Sequence, residues 1–264
     1  VSALIDFTLP EVKPEEENES FGRFVIAPLE PGFGITVGNA LRRVLLGALP
    51  GAAVTAIKID GILHEFSTVP EMKEDVIEFI LNVKEIRIRP ITGRPGTMRL
   101  EVAREGPIYA GDIEPSPDFE IANPELYLAT MNSDKFKLSV EFQVEIGRGY
   151  RPAVYESNLP IGVIPVDAVF SPIRRVSFNV EKMRIGQRSD YDRLILEIQT
   201  DRTITPAGAL REASKILAQH FELLAGLAIP EVERRAELVA APAEREEDKN
   251  LIPLEQIGLS TRTY

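Results

Sequence analysis

From Phe136 to Ile146 every second residue is large and apolar: Phe136, Leu138, Val140, Phe142, Val144 and Ile146. A period of two puts all six on one face of a pleated strand, and a strand with such a face has to lie on a core. The stretch from Ile86 to about Ile146 keeps nearly the same style, so the middle of the chain reads as an all-β module. Within it Gly93, Pro95 and Gly96 separate two alternating runs and predict a hairpin, while Gly147 to Pro152 end the long strand.

The flanking regions mix helix and strand. Residues 11–20 are almost all Glu, Pro and Lys, too polar to pack, and lead into a strand over Phe21–Ile26. Pro31, Gly32 and Gly34 form a turn, and Thr36 is the expected N-cap of a helix in which Leu41, Val44, Leu45 and Ala48 make a core stripe until Pro50-Gly51 stops it. Thr55, Ile57 and Ile59 alternate as a strand. Glu74 to Lys84 predicts a short helix with Ile77, Ile80 and Leu81 on its buried side, acids in its first turn and Lys84 at its close, as the helix dipole favours.

Beyond the β module, Ile161–Phe170, Val176–Val180 and the set Leu194, Leu196 and Ile198 read as strands. Thr205-Pro206 opens the last helix with an N-cap and a first-turn proline, and the helix runs to about Leu227. Its apolar set of Leu210, Ala213, Ile216, Leu217, Phe221 and Leu224 is wider than one core-facing stripe requires. Residues 231–250 are rich in Glu, Arg, Ala and Pro without a period and read as a linker, after which 251–264 turns apolar again. The expected class is therefore α+β. A mixed domain with two main helices, built from residues 1–50 and 170–230, is interrupted by an inserted β-rich domain at 51–169.

A chain of 264 residues is near the size at which one core splits into two, which suits this division. The net charge of −11 leaves no diffuse basic surface to displace counterions from phosphates, so nucleic-acid binding by this chain alone is not expected. There is no cysteine, hence neither a disulfide nor a thiolate metal site. Val1–Ile5 lacks the look of a signal peptide, and no run approaches the roughly 20 apolar residues of a membrane helix. A cytoplasmic chain is expected, and the Asn18-Glu19-Ser20 triplet is then a coincidence, not a glycan site.

Four features could carry chemistry. Gly32, Gly34 and Gly38, between a strand and a helix and followed by Asp60, imitate a dinucleotide fingerprint in which backbone amides cradle a pyrophosphate. The spacing G-x-G-x-x-x-G and the absence of alternating helices downstream favour a plain turn. His64 and His220 have no second ligand at metal spacing and read as structural. Ser189-Asp190-Tyr191-Asp192, between Arg188 and Arg193, reads as a salt-bridged turn before a strand. Arg42-Arg43 is different: Arg43, Leu46 and Gly47 share a face beside the core stripe, a charged fork next to a leucine that suits a protein interface as well as it suits solvent.

Four separated runs, PLEPGFGITVGNALRRVLLGALPG, DGILHEFSTVPEMKEDVIEFILNVK, IPVDAVFSPIRRVSFNVE and GQRSDYDRLILEIQTD, resemble the bacterial RNA polymerase alpha-subunit family and stand in the family's order. Residues 254–264 also resemble the start of the family's C-terminal domain, the part that touches promoter DNA, which is otherwise missing here. The resemblance implies a homodimer formed through the first and last helices, with Phe33, Leu41, Val44, Leu45, Leu217, Phe221 and Leu224 in the contact. It implies that Arg43 and Leu46 touch the beta subunit, and that Lys84, Val166 and Asp167 lie in the beta-prime region. The expected role is a non-catalytic assembly scaffold of a nucleotidyltransferase. On this view the chain has no catalytic, cofactor-binding or metal-binding residue, the catalytic magnesium belongs to beta-prime, and omega and sigma complete the complex. The competing readings are a nucleotide-binding enzyme using the Gly32–Gly38 turn and a self-associating β-rich protein with no specific partner.

Overall fold

A computed structural model describes residues 9–154 and 160–226. The expected linker at 231–250 and the apolar segment at 251–264 lie outside the described residues. The elements are β1 (Glu11–Glu17), β2 (Phe21–Leu29), α1 (Phe33–Gly47), β3 (Pro50–Ile59), α2 (Val76–Val83), β4 (Ile88–Pro90), β5 (Gly96–Val102), β6 (Gly106–Tyr109), β7 (Phe119–Ile121), β8 (Tyr127–Met131), β9 (Leu138–Arg148), β10 (Tyr150–Arg151), β11 (Val163–Pro165), β12 (Ala168–Val169), β13 (Ile173–Ile185), β14 (Arg188–Thr200) and α3 (Pro206–Ala225). The class is mixed α+β, mostly strand, with three α-helices among the described residues, α1 and α3 on the flanks and the short α2 between them. The chain divides into two compact units after His220, and of the second only residues 221–226 are described.

Both flanks of the chain meet in one antiparallel sheet of order β1-β2-β14-β13. Phe24 and Ile26 of β2 and Leu194, Leu196 and Ile198 of β14 share a core with Leu41, Leu45 and Leu49 at and after α1 and with Ala209, Leu210 and Ala213 of α3. Two glycines let α1 sit close to the strands. A methyl group on Gly34 would meet Val180 at 2.7 Å, and one on Gly38 would meet the Phe178 ring at 2.7 Å. Thr205 caps α3 as expected, its hydroxyl accepting the Gly208 N–H at 3.2 Å.

A second core lies in the middle of the chain, where the sheet runs β5-β9-β3-β4-β7 with β11 added to β3. The alternation that defines β9 is realised here: Leu138, Val140, Phe142 and Val144 are buried, with Phe136 and Ile146 packed against them. Where the chain crosses between the cores, Ala53, Ala168 and Phe170 form a small cluster of their own. Gly51 is required there, since a Cβ would fall 1.9 Å from the Phe170 carbonyl oxygen.

Five local expectations need correction. Residues 11–17 form the edge strand β1 although every side chain is exposed, because the backbone ladder to β2 needs no apolar face and Glu15 and Glu17 find partners in Arg193 and the Ala207 N–H. Thr36 lies inside α1, whose N-cap is Gly32 in the left-handed region. Helix α2 buries Val76, Phe79 and Val83, and Ile80 packs against the core half-buried as expected, whereas Ile77 and Leu81 are exposed. Its apolar residues run nearly all round, so i, i+3 and i+4 spacing fits two faces equally. The residues around Gly93 make no hairpin: β4 pairs with β3 and β7, and β5 pairs with β9. Finally, Ser189–Asp192 belongs to β14, and the turn precedes it at Gly186.

Candidate functional site

Helix α1 carries half of the expected contact residues, more than any other element, so its anchoring decides which of them a partner could reach. The first turn of a helix leaves backbone N–H groups without partners and carries partial positive charge. Here those groups are met from a distant strand. Asp192, only 1% exposed, accepts the N–H of Gly32 at 2.8 Å and of Gly34 at 3.1 Å on one carboxylate oxygen, and Lys182 reaches the other at 2.6 Å. The Lys182 ammonium first, and then the two amides, hold this carboxyl below the usual aspartate range against the opposing effect of burial. The amides that would have cradled a pyrophosphate are therefore already occupied by the protein's own anion. Asp60 is exposed at the end of β3, whose side chains belong to the other core. The dinucleotide reading loses its physical basis.

With one side pressed on β13 and its start pinned, α1 turns Arg42, Arg43 and Leu46 outward. Arg43 makes no hydrogen bond or ion pair among the described residues. The C-terminal end of the helix is held by Ser171, whose hydroxyl donates to the Leu46 carbonyl at 3.3 Å. Of the residues expected in a dimer contact, Leu41 and Leu45 are 4% and 0% exposed, filled into the core of the protomer itself. A second chain could reach them only by unpacking that core, so they leave the contact set. Val44 and Leu217 are half-buried at its margin, whereas Phe33, Phe221 and Leu224 are 48%, 60% and 61% exposed. Ile35 on α1 and Leu223 on α3 are exposed as well and were not singled out from the sequence.

The structure brings Lys84 and Asp167 together. The ammonium lies 2.8 Å from the carboxylate, with the two side chains 27% and 32% exposed, and Asp167 also accepts the Ala153 N–H at 2.8 Å. Lys84, followed by that amide, lowers the Asp167 carboxyl below its ordinary range. Val166, between them in the chain, is 3% exposed and belongs to the second core, so its side chain is not available to a partner. His64 pairs with Ser67 at 3.0 Å, and His220 Nδ1 lies 2.7 Å from the Ile216 carbonyl.

The burial of two carboxylates, Asp192 and Glu74, is not among the sequence expectations. Asp192 shares strand parity with Leu194, Leu196 and Ile198, and a charge in register with a core face is a signal that could have been used. Glu74 is buried just ahead of α2, where Tyr127 donates to one oxygen and the Thr130 N–H to the other at 2.7 Å. Burial first, and then this bond, raises the Tyr127 hydroxyl above its usual value.

Residues 57–171, which include most of the second core, match the family described as RNA polymerase Rpb3/RpoA insert domain. The whole chain is similar to proteins named DNA-directed RNA polymerase subunit alpha. That of Dehalococcoides mccartyi is 46% identical over 98% of this chain and 78% of the relative. Those of Roseiflexus sp. and Desulforudis audaxviator are 44% and 47% identical, over 99% and 96% of this chain and 81% and 80% of theirs.

Proposed function

The chain belongs to the bacterial DNA-directed RNA polymerase alpha-subunit family, and from that membership we propose that it is the dimeric, non-catalytic scaffold on which the beta and beta-prime subunits assemble. The observation that carries the proposal is the outer surface of α1 and α3. Large apolar residues stand exposed, Phe33 and Ile35 on α1 and Phe221, Leu223 and Leu224 on α3, and α1 also presents Arg43, which has no partner among the described residues. Monomeric proteins seldom leave such groups in water, and arginine beside a leucine is a usual interface pair.

In this reading Phe33, Val44, Leu217, Phe221 and Leu224, joined by Ile35 and Leu223, make the contact between two copies. Arg43 and Leu46 meet beta, and the Lys84–Asp167 pair lies at the beta-prime contact. A two-fold dimer has two equal sides, and one large subunit on each makes them unlike. Residues 1–50 with 170–230 then form the dimerisation domain and 51–169 the insert. The phosphoryl chemistry and its magnesium belong to beta-prime, omega and sigma join the assembled complex, and the site of action is the cytoplasm. Among the described residues no helix is long and apolar enough to cross a membrane.

The test is the molar mass of the purified chain, alone and with purified beta subunit, by light scattering during size exclusion. A chain dimeric alone that gives a two-to-one complex with beta, weakened by Arg43→Ala, is the expected result. A chain that stays apart from beta would remove the scaffold reading.

A further inference from the structure

One compact unit holds both cores, and side chains as well as chain crossings join them. Arg174 reaches Glu85 at 3.6 Å and Arg202 reaches Glu125 at 3.5 Å, but the guanidinium with the shortest contacts across the gap is that of Arg89. Arg89, on β4, donates from Nη1 to Glu120 at 2.9 Å, from Nε to the Thr203 carbonyl at 3.0 Å and from Nη2 to the Arg202 carbonyl at 2.8 Å. Glu120 is its register partner on β7, so the fork is set within its own sheet before it reaches across. Arginine is suited to this because its donors lie in one rigid plane.

The receiving loop is shaped to match. Two successive carbonyls meet one planar fork only where the chain turns sharply, and Arg202 sits at φ 75, left-handed. A non-glycine residue keeps that conformation only where its surroundings over-determine it. They do so here. The Asp201 carboxylate accepts the Thr203 N–H at 3.0 Å and its hydroxyl at 2.6 Å, the Asp201 N–H is held by the Pro172 carbonyl at 3.0 Å, and the Arg202 side chain returns to Glu125 at 3.5 Å. The loop then runs directly into Thr205, the cap of α3.

We infer that Arg89 is a latch: it fixes the sheet of the second core to the loop that starts α3, so that any displacement of the β4–β7 edge reaches the first turn of that helix. The device needs no partner and does not depend on the scaffold reading. It does give a route by which an object bound to one body alters the other.

The absence of cysteine makes the latch measurable. Thr97→Cys on β5 and Lys13→Cys on β1, both exposed, place one spin label on each body of the full chain. Arg89→Met keeps the stem and removes the donors. It is expected to broaden the distance distribution between the labels and to lower hydrogen-exchange protection of the Gly208 and Ala209 amides at least about tenfold, the effect of losing the two charge-assisted bonds to the loop. Protection in β9 stays unchanged. Arg202→Gly, which suits the left-handed turn and keeps both carbonyls, leaves the distribution narrow. The latch is overturned if Arg89→Met changes neither readout, or lowers protection equally in β9. It is also overturned if Arg202→Gly broadens the distribution as much as Arg89→Met does.

Discussion

Asp192→Asn isolates what a buried charge does at the start of α1. The substitution keeps the shape of the side chain, and its amide oxygen can still face the Gly32 and Gly34 N–H groups. Its NH₂ then faces the Lys182 ammonium, which now sits 2.6 Å from the other carboxylate oxygen. Two charge-assisted bonds at the helix terminus become ordinary ones, and an attraction becomes a contact between two donors. At roughly 1 kcal/mol for the first change and 1–2 kcal/mol for the second, with the helix-dipole contribution lost as well, the expected cost is about 2–4 kcal/mol. Urea unfolding followed by circular dichroism reads it directly. The pH dependence has a definite sign. The carboxyl is held below its unfolded value, so its contribution is present above the ordinary aspartate range and is lost as pH falls through the lower folded value. The other depressed carboxyls, Glu11, Glu101, Asp167, Asp190 and Glu197, are common to both proteins and cancel in the difference. The native chain should therefore exceed the variant in stability at neutral pH, and the gap should close in acid. An Asn variant of native stability at pH 7, or a gap that persists in acid, would refute the account of α1's anchoring.

Three further outcomes follow from particular contacts. Phe79→Ala should cost about 3–5 kcal/mol by emptying a fully buried site, while Leu81→Ala on the exposed side of α2 should stay within about 0.5 kcal/mol; thermal unfolding of the pair decides which face is the inner one. Gly51→Ala places a Cβ 1.9 Å from a backbone oxygen and should cost roughly 3 kcal/mol or more, whereas Gly47→Ala, with nothing within 4 Å, should be neutral or slightly stabilising in the same denaturation assay. Arg43→Ala should leave the urea midpoint unchanged within about 0.5 kcal/mol, and the same preparation should bind beta subunit at least tenfold more weakly in a titration; unaltered binding removes Arg43 from the contact.

What the sequence made legible follows from how local each signal is. The alternation of β9, the stripe of α1 and the Thr205-Pro206 start of α3 depend on neighbours a few residues away, and all three are found. Strand β1 was missed because its stability lies in a backbone ladder to β2, which leaves no trace in side-chain polarity. The inner face of α2 could not be chosen because two faces satisfied the same period. At the site, the exposure of Arg43 and Leu46 was readable from α1's own geometry, but Lys84 and Asp167 stand 83 positions apart in the chain and were linked only by family resemblance. Asp192 and Arg89 act on segments 158 and 113–114 positions away, contacts that no local pattern encodes.

The over-wide apolar set on α3 shows why a sequence alone cannot divide a core from an interface. Leu210 and Ala213 are buried, Ile216 and Leu217 half-buried, and Phe221 and Leu224 are 60% and 61% exposed. In sequence these residues form one continuous apolar set. In the folded chain it has two parts, one that closes the protomer and one still in contact with water. Burying a large apolar side chain is worth about 1.5–3 kcal/mol, so the exposed part retains a driving force for association comparable to several such residues. The same division occurs on α1, where Leu41 and Leu45 face inward while Phe33 and Ile35 face out. Helical period marks a residue as apolar-facing, but only the position of the sheet says whether the protomer itself supplies the other side. Phe221→Glu therefore makes the sharper test of the dimer than any change at Leu45. Charge at 221 should turn a dimer into a folded monomer in size exclusion, whereas Leu45→Ala should destabilise the protomer itself by about 2–5 kcal/mol and say nothing about its partner.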